Sequence, residues 1–177
     1  MTQEHTLVAL VEDKPGVLNR VASLFRRRNF NIDSLTVGRT DIPGVSRMTI
    51  VVGAGPTDAY LVEMNLNKLV NVIGVRDVTQ ERSVTRDLAL IKVKADAGAR
   101  AEISQIVEIF RAKIVDVSQS SLIVEITGDE DKIDSMIDLL RPLGIIEMVR
   151  TGKVAMVRGD QSVPPMNGRR PTLKSVS

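Results

Sequence analysis

Residues 5–12 of the chain, "HTLVALVE", repeat with a period of two and predict a strand. Residues 15–28 change period: Val17, Val21, Leu24 and Phe25 fall at helical spacing. A second strand follows over 31–40, "NIDSLTVGRT", and "DIPGVS" forms a turn in which the glycine takes positive φ. Residues 47–53 read as a third strand, 56–68 as a helix and 72–79 as a fourth strand. The polar segment "TQERSVTR" interrupts the pattern, and the rhythm then starts again with a strand over 87–94. Ile103, Ile106, Val107 and Phe110 lie at i, i+3, i+4 and i+7 on one helical face. A short hairpin over 113–118 and 121–127 comes next. Ile133, Met136, Ile137 and Leu140 repeat the helical stripe behind acidic Asp129, Glu130 and Asp131, whose charges suit a helix N-terminus. Strands over 145–150 and 153–157, split by Gly152, close the series.

The pattern predicts an α+β protein of two ferredoxin-like βαββαβ domains, each an antiparallel sheet with its helices on one face. The first domain spans 1–80, a linker 81–86 and the C-terminal domain 87–157. The tail 158–177 holds three of the seven prolines and few apolar residues, the composition of a disordered segment. A unit of this size buries a modest core alone. Pairing of sheets in a homodimer would supply the missing burial.

Composition narrows the chemistry. Without cysteine there are no disulfides, thiolate metal sites or cysteine nucleophiles, and a single histidine rules out a multi-histidine metal cluster. His5 itself reads as incidental to function. No apolar run approaches the ~20 residues of a membrane span, and the N-terminus lacks the features of a signal or transit peptide. A cytoplasmic protein with no membrane partner is the expectation. The pI of about 9.1 belongs to the tail. From Arg158 onward four basic residues (Arg158, Arg169, Arg170, Lys174) face one acid (Asp160), a net of +3, so the formal +2 of the whole chain leaves −1 for residues 1–157. Nucleic acid is therefore not an expected partner. The run "RRR" at 26–28 reads as a solvated helix end favoured by the helix dipole rather than as a phosphate patch.

One junction carries candidate chemistry. In "VALVEDKPGVLNRVASLF" a strand passes through Pro15 and Gly16 straight into a helix. With Pro15 at the first helical position, the amides of Gly16, Val17 and Leu18 lack intrahelical acceptors. Glycine leaves the approach to them open, so a carboxylate can be held there by backbone N–H groups and the helix dipole. Asp13 is placed either to cap the helix or to accept a ligand ammonium. Asn31, at the start of the second strand, offers a donor and an acceptor, and that strand is expected to run close to the first turn. Together these residues amount to a free amino-acid site. They equally fit ordinary helix-start chemistry. The corresponding turn of the second half, "KADAGAR", has no Pro-Gly pair and no matching asparagine, so any such site belongs to the first half.

Residues 4–80 resemble an ACT domain, the βαββαβ amino-acid-sensing module. The motifs "LVEDKPGVLNRVASLFRRRNFNIDSLTVG", "SRMTIVV", "LNKLVNVIGVRDVT", "RDLALIKV", "FRAKIVDVS" and "GKVAMVRGD", in that order, extend the resemblance to the small regulatory subunits of acetohydroxyacid synthase (acetolactate synthase). The resemblance implies a non-catalytic chain that binds a large catalytic subunit, activates it and makes it sensitive to valine or a related branched-chain amino acid. It implies no cofactor on this chain, and a partner that uses thiamine diphosphate, Mg and FAD. The effector would lie between ACT domains of two copies, against Gly16, Val17 and Leu18 on one side and Asn31 and Ile32 on the other. Asp13 stands where members of the family can carry asparagine. The alternative within the same fold is a free-standing ACT-domain sensor acting on another partner. An acylphosphatase-like enzyme is disfavoured by the acids in "VEDKPGVL". An RNA-recognition module is disfavoured because "SRMTIVV" and "TLVALVE" lack aromatic residues on which to stack bases.

Overall fold

The computed structural model describes residues 3–160, which divide into two compact units, residues 3–84 with 153–160 and residues 85–152. In the first unit the order is β1 (Gln3–Glu12), α1 (Val17–Arg27), β2 (Ser34–Arg39), β3 (Val45–Ala54), α2 (Pro56–Asn67) and β4 (Val72–Asp77). The strands form one antiparallel sheet in the order β2-β3-β1-β4. Alternate residues of β1 face opposite sides. Leu7, Ala9 and Val11 join Met48, Ile50 and Val52 of β3 beneath Val17, Val21 and Phe25 of α1 and Val62 and Leu66 of α2.

The second unit repeats the plan with β5 (Ser83–Lys94), α3 (Ala99–Ile109), β6 (Lys113–Val117), β7 (Ser121–Gly128), α4 (Glu130–Gly144) and β8 (Ile145–Arg150), in sheet order β6-β7-β5-β8. Ala89, Ile91 and Val93 of β5 and Leu122, Val124 and Ile126 of β7 meet the apolar stripes of α3 and α4. Asp129 caps α4 by accepting from the Lys132 amide at 3.0 Å, as its position before the stripe implies. The sheet's far end is closed by buried Asp87, which accepts from Arg150 Nε (2.8 Å), Thr151 Oγ1 (2.9 Å) and the Gly152 amide (3.1 Å).

Three expectations require correction. The segment 81–86 is not a polar linker: β5 already begins at Ser83, within it. Residues 153–157, expected in the C-terminal domain, contain β9 (Val154–Val157) and lie in the first unit. Ala155 packs with Val8, Val78 and Val157 on the sheet face away from the helices. Arg47 donates to the Ala155 carbonyl at 2.7 Å, and the Lys153 amide donates to Ser34 Oγ at 3.0 Å. Val8 has no exposed surface, so the returning strand protects the apolar back of this sheet from water. Burial there also lowers the pKa of Arg47. Of the tail 158–177, residues 158–160 belong to the structure described, where the Arg158 amide donates to the Arg82 carbonyl at 2.8 Å, and 161–177 lie outside it.

His5 is not incidental to the fold. It is 6% exposed, and its Nδ1 lies 2.8 Å from Asp77 Oδ2 across β1 and β4. Asp77 Oδ1 also accepts from the Thr79 amide at 2.9 Å. The pair ties the first strand to the exit from β4.

Candidate functional site

The junction between β1 and α1 differs from its sequence reading in one register. The helix starts at Val17, not at Pro15, and Gly16 is its N-cap with φ +83°. That left-handed geometry suits glycine and is costly for a residue with a Cβ. A Cβ placed on Gly16 would meet nothing within 4 Å, so the approach to the helix end is open. The Arg20 amide makes the first intrahelical bond, to the Gly16 carbonyl at 3.1 Å. The amides lacking an intrahelical acceptor are then those of Val17, Leu18 and Asn19. Val17 donates loosely to the Lys14 carbonyl at 3.4 Å. No side chain caps the helix through its N-cap residue.

Asp13 does not cap it either. Its carboxylate accepts from Arg39 Nε at 3.0 Å, and its amide donates to the Gly44 carbonyl at 2.8 Å. The reason is local. An aspartate reaches the amides two and three residues ahead of it, and two residues ahead of Asp13 stands Pro15, which has no N–H. The second unit provides the control. Asp96 Oδ1 accepts from the Gly98 amide at 3.0 Å and the Ala99 amide at 2.9 Å, so the start of α3 is filled by the chain's own carboxylate. Gly98 there has φ −80°. A carboxylate therefore fits such a helix start, and in the first unit none is supplied from within the junction.

Three residues that sequence reading did not single out hold the first turn rigid. The Glu12 amide donates to the Asn71 carbonyl at 2.9 Å, and Asn71 Nδ2 donates to Glu12 Oε2 at 2.6 Å. Arg20 donates to the same carboxamide's oxygen, which links α1 to the clamp. The hydrogen bond from Asn71, with the nearby Lys14, holds the Glu12 carboxyl below its ordinary pKa. Nothing in "LVNVIGV" marks Asn71 for this role, because its partners are 59 and 51 residues away.

Asn31 and Ile32 lie elsewhere in the same chain. They follow the C-terminal end of α1, where with Ala22, Phe25, Arg26, Asn29 and Phe30 they line a shallow concavity of about 470 Å³. Asn31 precedes β2 rather than opening it, and its Nδ2 donates to Asp33 Oδ1 at 2.7 Å. Ile32 packs partly against the core. The 11 residues of α1 separate Asn31 and Ile32 from Gly16, about 16 Å at 1.5 Å per residue. The structure brings Asp13, Gly16, Val17 and Leu18 together at one end of α1 and Asn31 with Ile32 at the other. One chain cannot place both groups on one small ligand. Among the described residues no group of three or more His, Asp or Glu side chains is arranged to hold a metal ion, and no helix is long and apolar enough to cross a membrane.

Both halves of the chain match known families. Residues 7–74 match the family described as the AHAS small subunit-like ACT domain, and residues 86–159 the family described as the small subunit of acetolactate synthase. A probable acetolactate synthase small subunit from Archaeoglobus fulgidus is 56% identical over 158 residues, covering 89% of this chain and 99% of that protein. The acetolactate synthase small subunit of Mycobacterium bovis is 51% identical over 159 residues, covering 90% and 95%. The crystal structure of the acetolactate synthase small subunit from Thermotoga maritima superimposes with a TM-score of 0.83 at 44% identity, covering 90% of this chain and 99% of that one. With two ferredoxin-like units, an open helix start in the first and relatives matched over nearly their whole length, the chain belongs to the family of acetolactate synthase small subunits.

Proposed function

We propose that this chain is the regulatory subunit of an acetolactate synthase. In this reading it binds the catalytic large subunit, raises its activity and renders it sensitive to valine. The effector's carboxylate docks on the amides at the start of α1, and Asp13, shared with Arg39, receives its ammonium group. Asn31 and Ile32 come from a second copy of the chain, because the length of α1 keeps a protomer's own pair out of reach. The observation that carries the reading is the contrast between the two helix starts: the second is filled by Asp96 and the first is open at Gly16.

Valine can inhibit only if it binds the active and less active assemblies with different affinity. A ligand held by two copies has that property when their relative orientation affects the contact with the enzyme. The primary experiment measures acetolactate formation by the cognate large subunit, with and without this chain, across a valine titration. A rise in rate that valine reverses is the expected result. No change in rate would sink the partner assignment.

The composite site has its own test. Gly16→Asp and Asn31→Ala each damage both sites of a homodimer. Mixed dimers of the two variants have one doubly damaged site and one intact site. Partial recovery of valine sensitivity on mixing is expected; a site contained in one chain would show no recovery.

A further inference from the structure

A groove of about 550 Å³ lies in the first unit between α1 and the C-terminal end of α2. It contains none of the six residues assigned to the effector. Its lining has four cations, Arg20, Arg27, Arg28 and Lys68, and no carboxylate. Asn19, Ser23 and Asn65 add neutral hydrogen-bonding groups, while Leu24 and Leu69, both packed against the core, add apolar surface. Asn19, Ser23 and Arg27 are spaced by four residues, as are Arg20, Leu24 and Arg28, so α1 presents two parallel ridges to the groove.

Among the described residues Arg27, Arg28 and Lys68 form no ion pair, and Arg20 is engaged by the neutral carboxamide of Asn71. The helix dipole accounts for Arg27, in the last turn of α1, and Arg28, its C-cap. It does not account for Arg20, which stands in the first turns of the same helix, where a cation is disfavoured. Lys68, which reaches the groove as the C-cap of α2, stands at a helix end that likewise favours a cation. Planar guanidinium groups match phosphate oxygens in pairs, and an ammonium adds a mobile point charge. The volume falls in the range of small-ligand sites and exceeds the needs of a single phosphate.

We propose that this groove binds a soluble small molecule bearing more than one phosphoryl group, with Arg20, Arg27, Arg28 and Lys68 holding the phosphates and Leu24 and Leu69 carrying the less polar remainder. The groove contains none of the residues assigned to the effector, although Arg20 also links α1 to the Asn71 clamp beside that turn. Its contacts are electrostatic, so its affinity falls with added salt.

The test is isothermal titration of the full chain with inorganic tripolyphosphate at low and physiological salt. Wild type is compared with Arg27→Gln/Lys68→Gln, with Arg20→Gln, and with an Arg86→Gln/Lys113→Gln control whose residues lie outside the groove. Far-UV circular dichroism checks that each variant is folded. Saturable binding at one tripolyphosphate per chain is expected, weakened about tenfold or more in both groove variants and unchanged in the control. Binding that does not saturate, or that falls equally in the control, would mean a solvated basic surface and overturn the proposal. Capture by vesicles containing an anionic phospholipid, without tripolyphosphate binding, would assign the phosphate chemistry to a membrane headgroup and overturn the soluble ligand. Loss of large-subunit association in the groove variants, again without tripolyphosphate binding, would assign the groove to an acidic protein surface.

Discussion

At the end of β1 the residues 13–16 lead into α1; at the end of β5 the residues 95–98 lead into α3. The two junctions are the same length and each contains one aspartate and ends in glycine. In the second, Asp96 occupies the second position and satisfies the Gly98 and Ala99 amides. In the first, Asp13 occupies the first position, Pro15 removes one of the amides it would reach, and the carboxylate turns to Arg39 instead. A shift of one position in the acid, with one proline, separates a closed structural turn from an open one. Gly16 reinforces the difference with its positive φ, while Gly98 sits in ordinary helical space.

The contrast is broken most strongly by giving the first turn a carboxylate of its own. Gly16→Asp places an acid before the amides of α1 and should remove one charge-assisted contact, worth roughly 1.5–3 kcal/mol. A valine titration of the reconstituted enzyme should show a shift of about 10- to 100-fold with activation retained. Inhibition at wild-type valine concentrations would end the site assignment.

A methyl group tests the backbone alone. Gly16→Ala should lower stability by about 1–2 kcal/mol because of its left-handed φ. Gly98→Ala, at φ −80°, should stay within about 0.5 kcal/mol of wild type. Urea denaturation of the two variants decides whether the glycines differ as their dihedral angles require.

The reverse experiment opens the second turn. Asp96→Ala should cost about 1 kcal/mol, the usual loss for removing a helix-start acceptor. Hydrogen exchange should place that loss in the second unit, around α3. Its valine response should match wild type; a weakened response would mean that effector recognition extends to that unit.

The smallest effect concerns Glu12. Its carboxyl pKa is lowered in the folded protein by the Asn71 hydrogen bond and by Lys14. The folded state therefore favours the ionised form, and the added stability is present above the ordinary carboxyl pKa and is lost as pH falls through the folded value. Glu12→Gln should be less stable than wild type near neutral pH, with the difference shrinking in acid. Thermal melts across that pH range check it, and a constant difference would remove ionisation from the account of the clamp.

The elements were legible from residue order because their signals are local. Val17, Val21 and Phe25 declare the buried face of α1 within one window, and Pro43-Gly44 declares its turn through a φ of +74° at Gly44. The difference between the two helix starts was also legible, from Pro15-Gly16 against "KADAGAR". The exact start of α1 was not, because a proline fits either the first helical position or the turn before it. The Asn71 clamp and the His5–Asp77 pair were hidden for another reason: their partners are distant in sequence and meet only when the sheet forms.

The amino-acid sequence by itself determined two βαββαβ units, an aliphatic core and an amide-rich turn without cysteine or histidine chemistry, since periodicity and composition act over a few residues. Only the tertiary structure decided where long-range segments go. It returned residues 153–157 to the first unit, because Val8 and Val78 on the back of that sheet need a cover that adjacency in sequence does not predict. It also placed Asn31 a full helix length from Gly16, because a strand that follows a helix starts at the helix's far end.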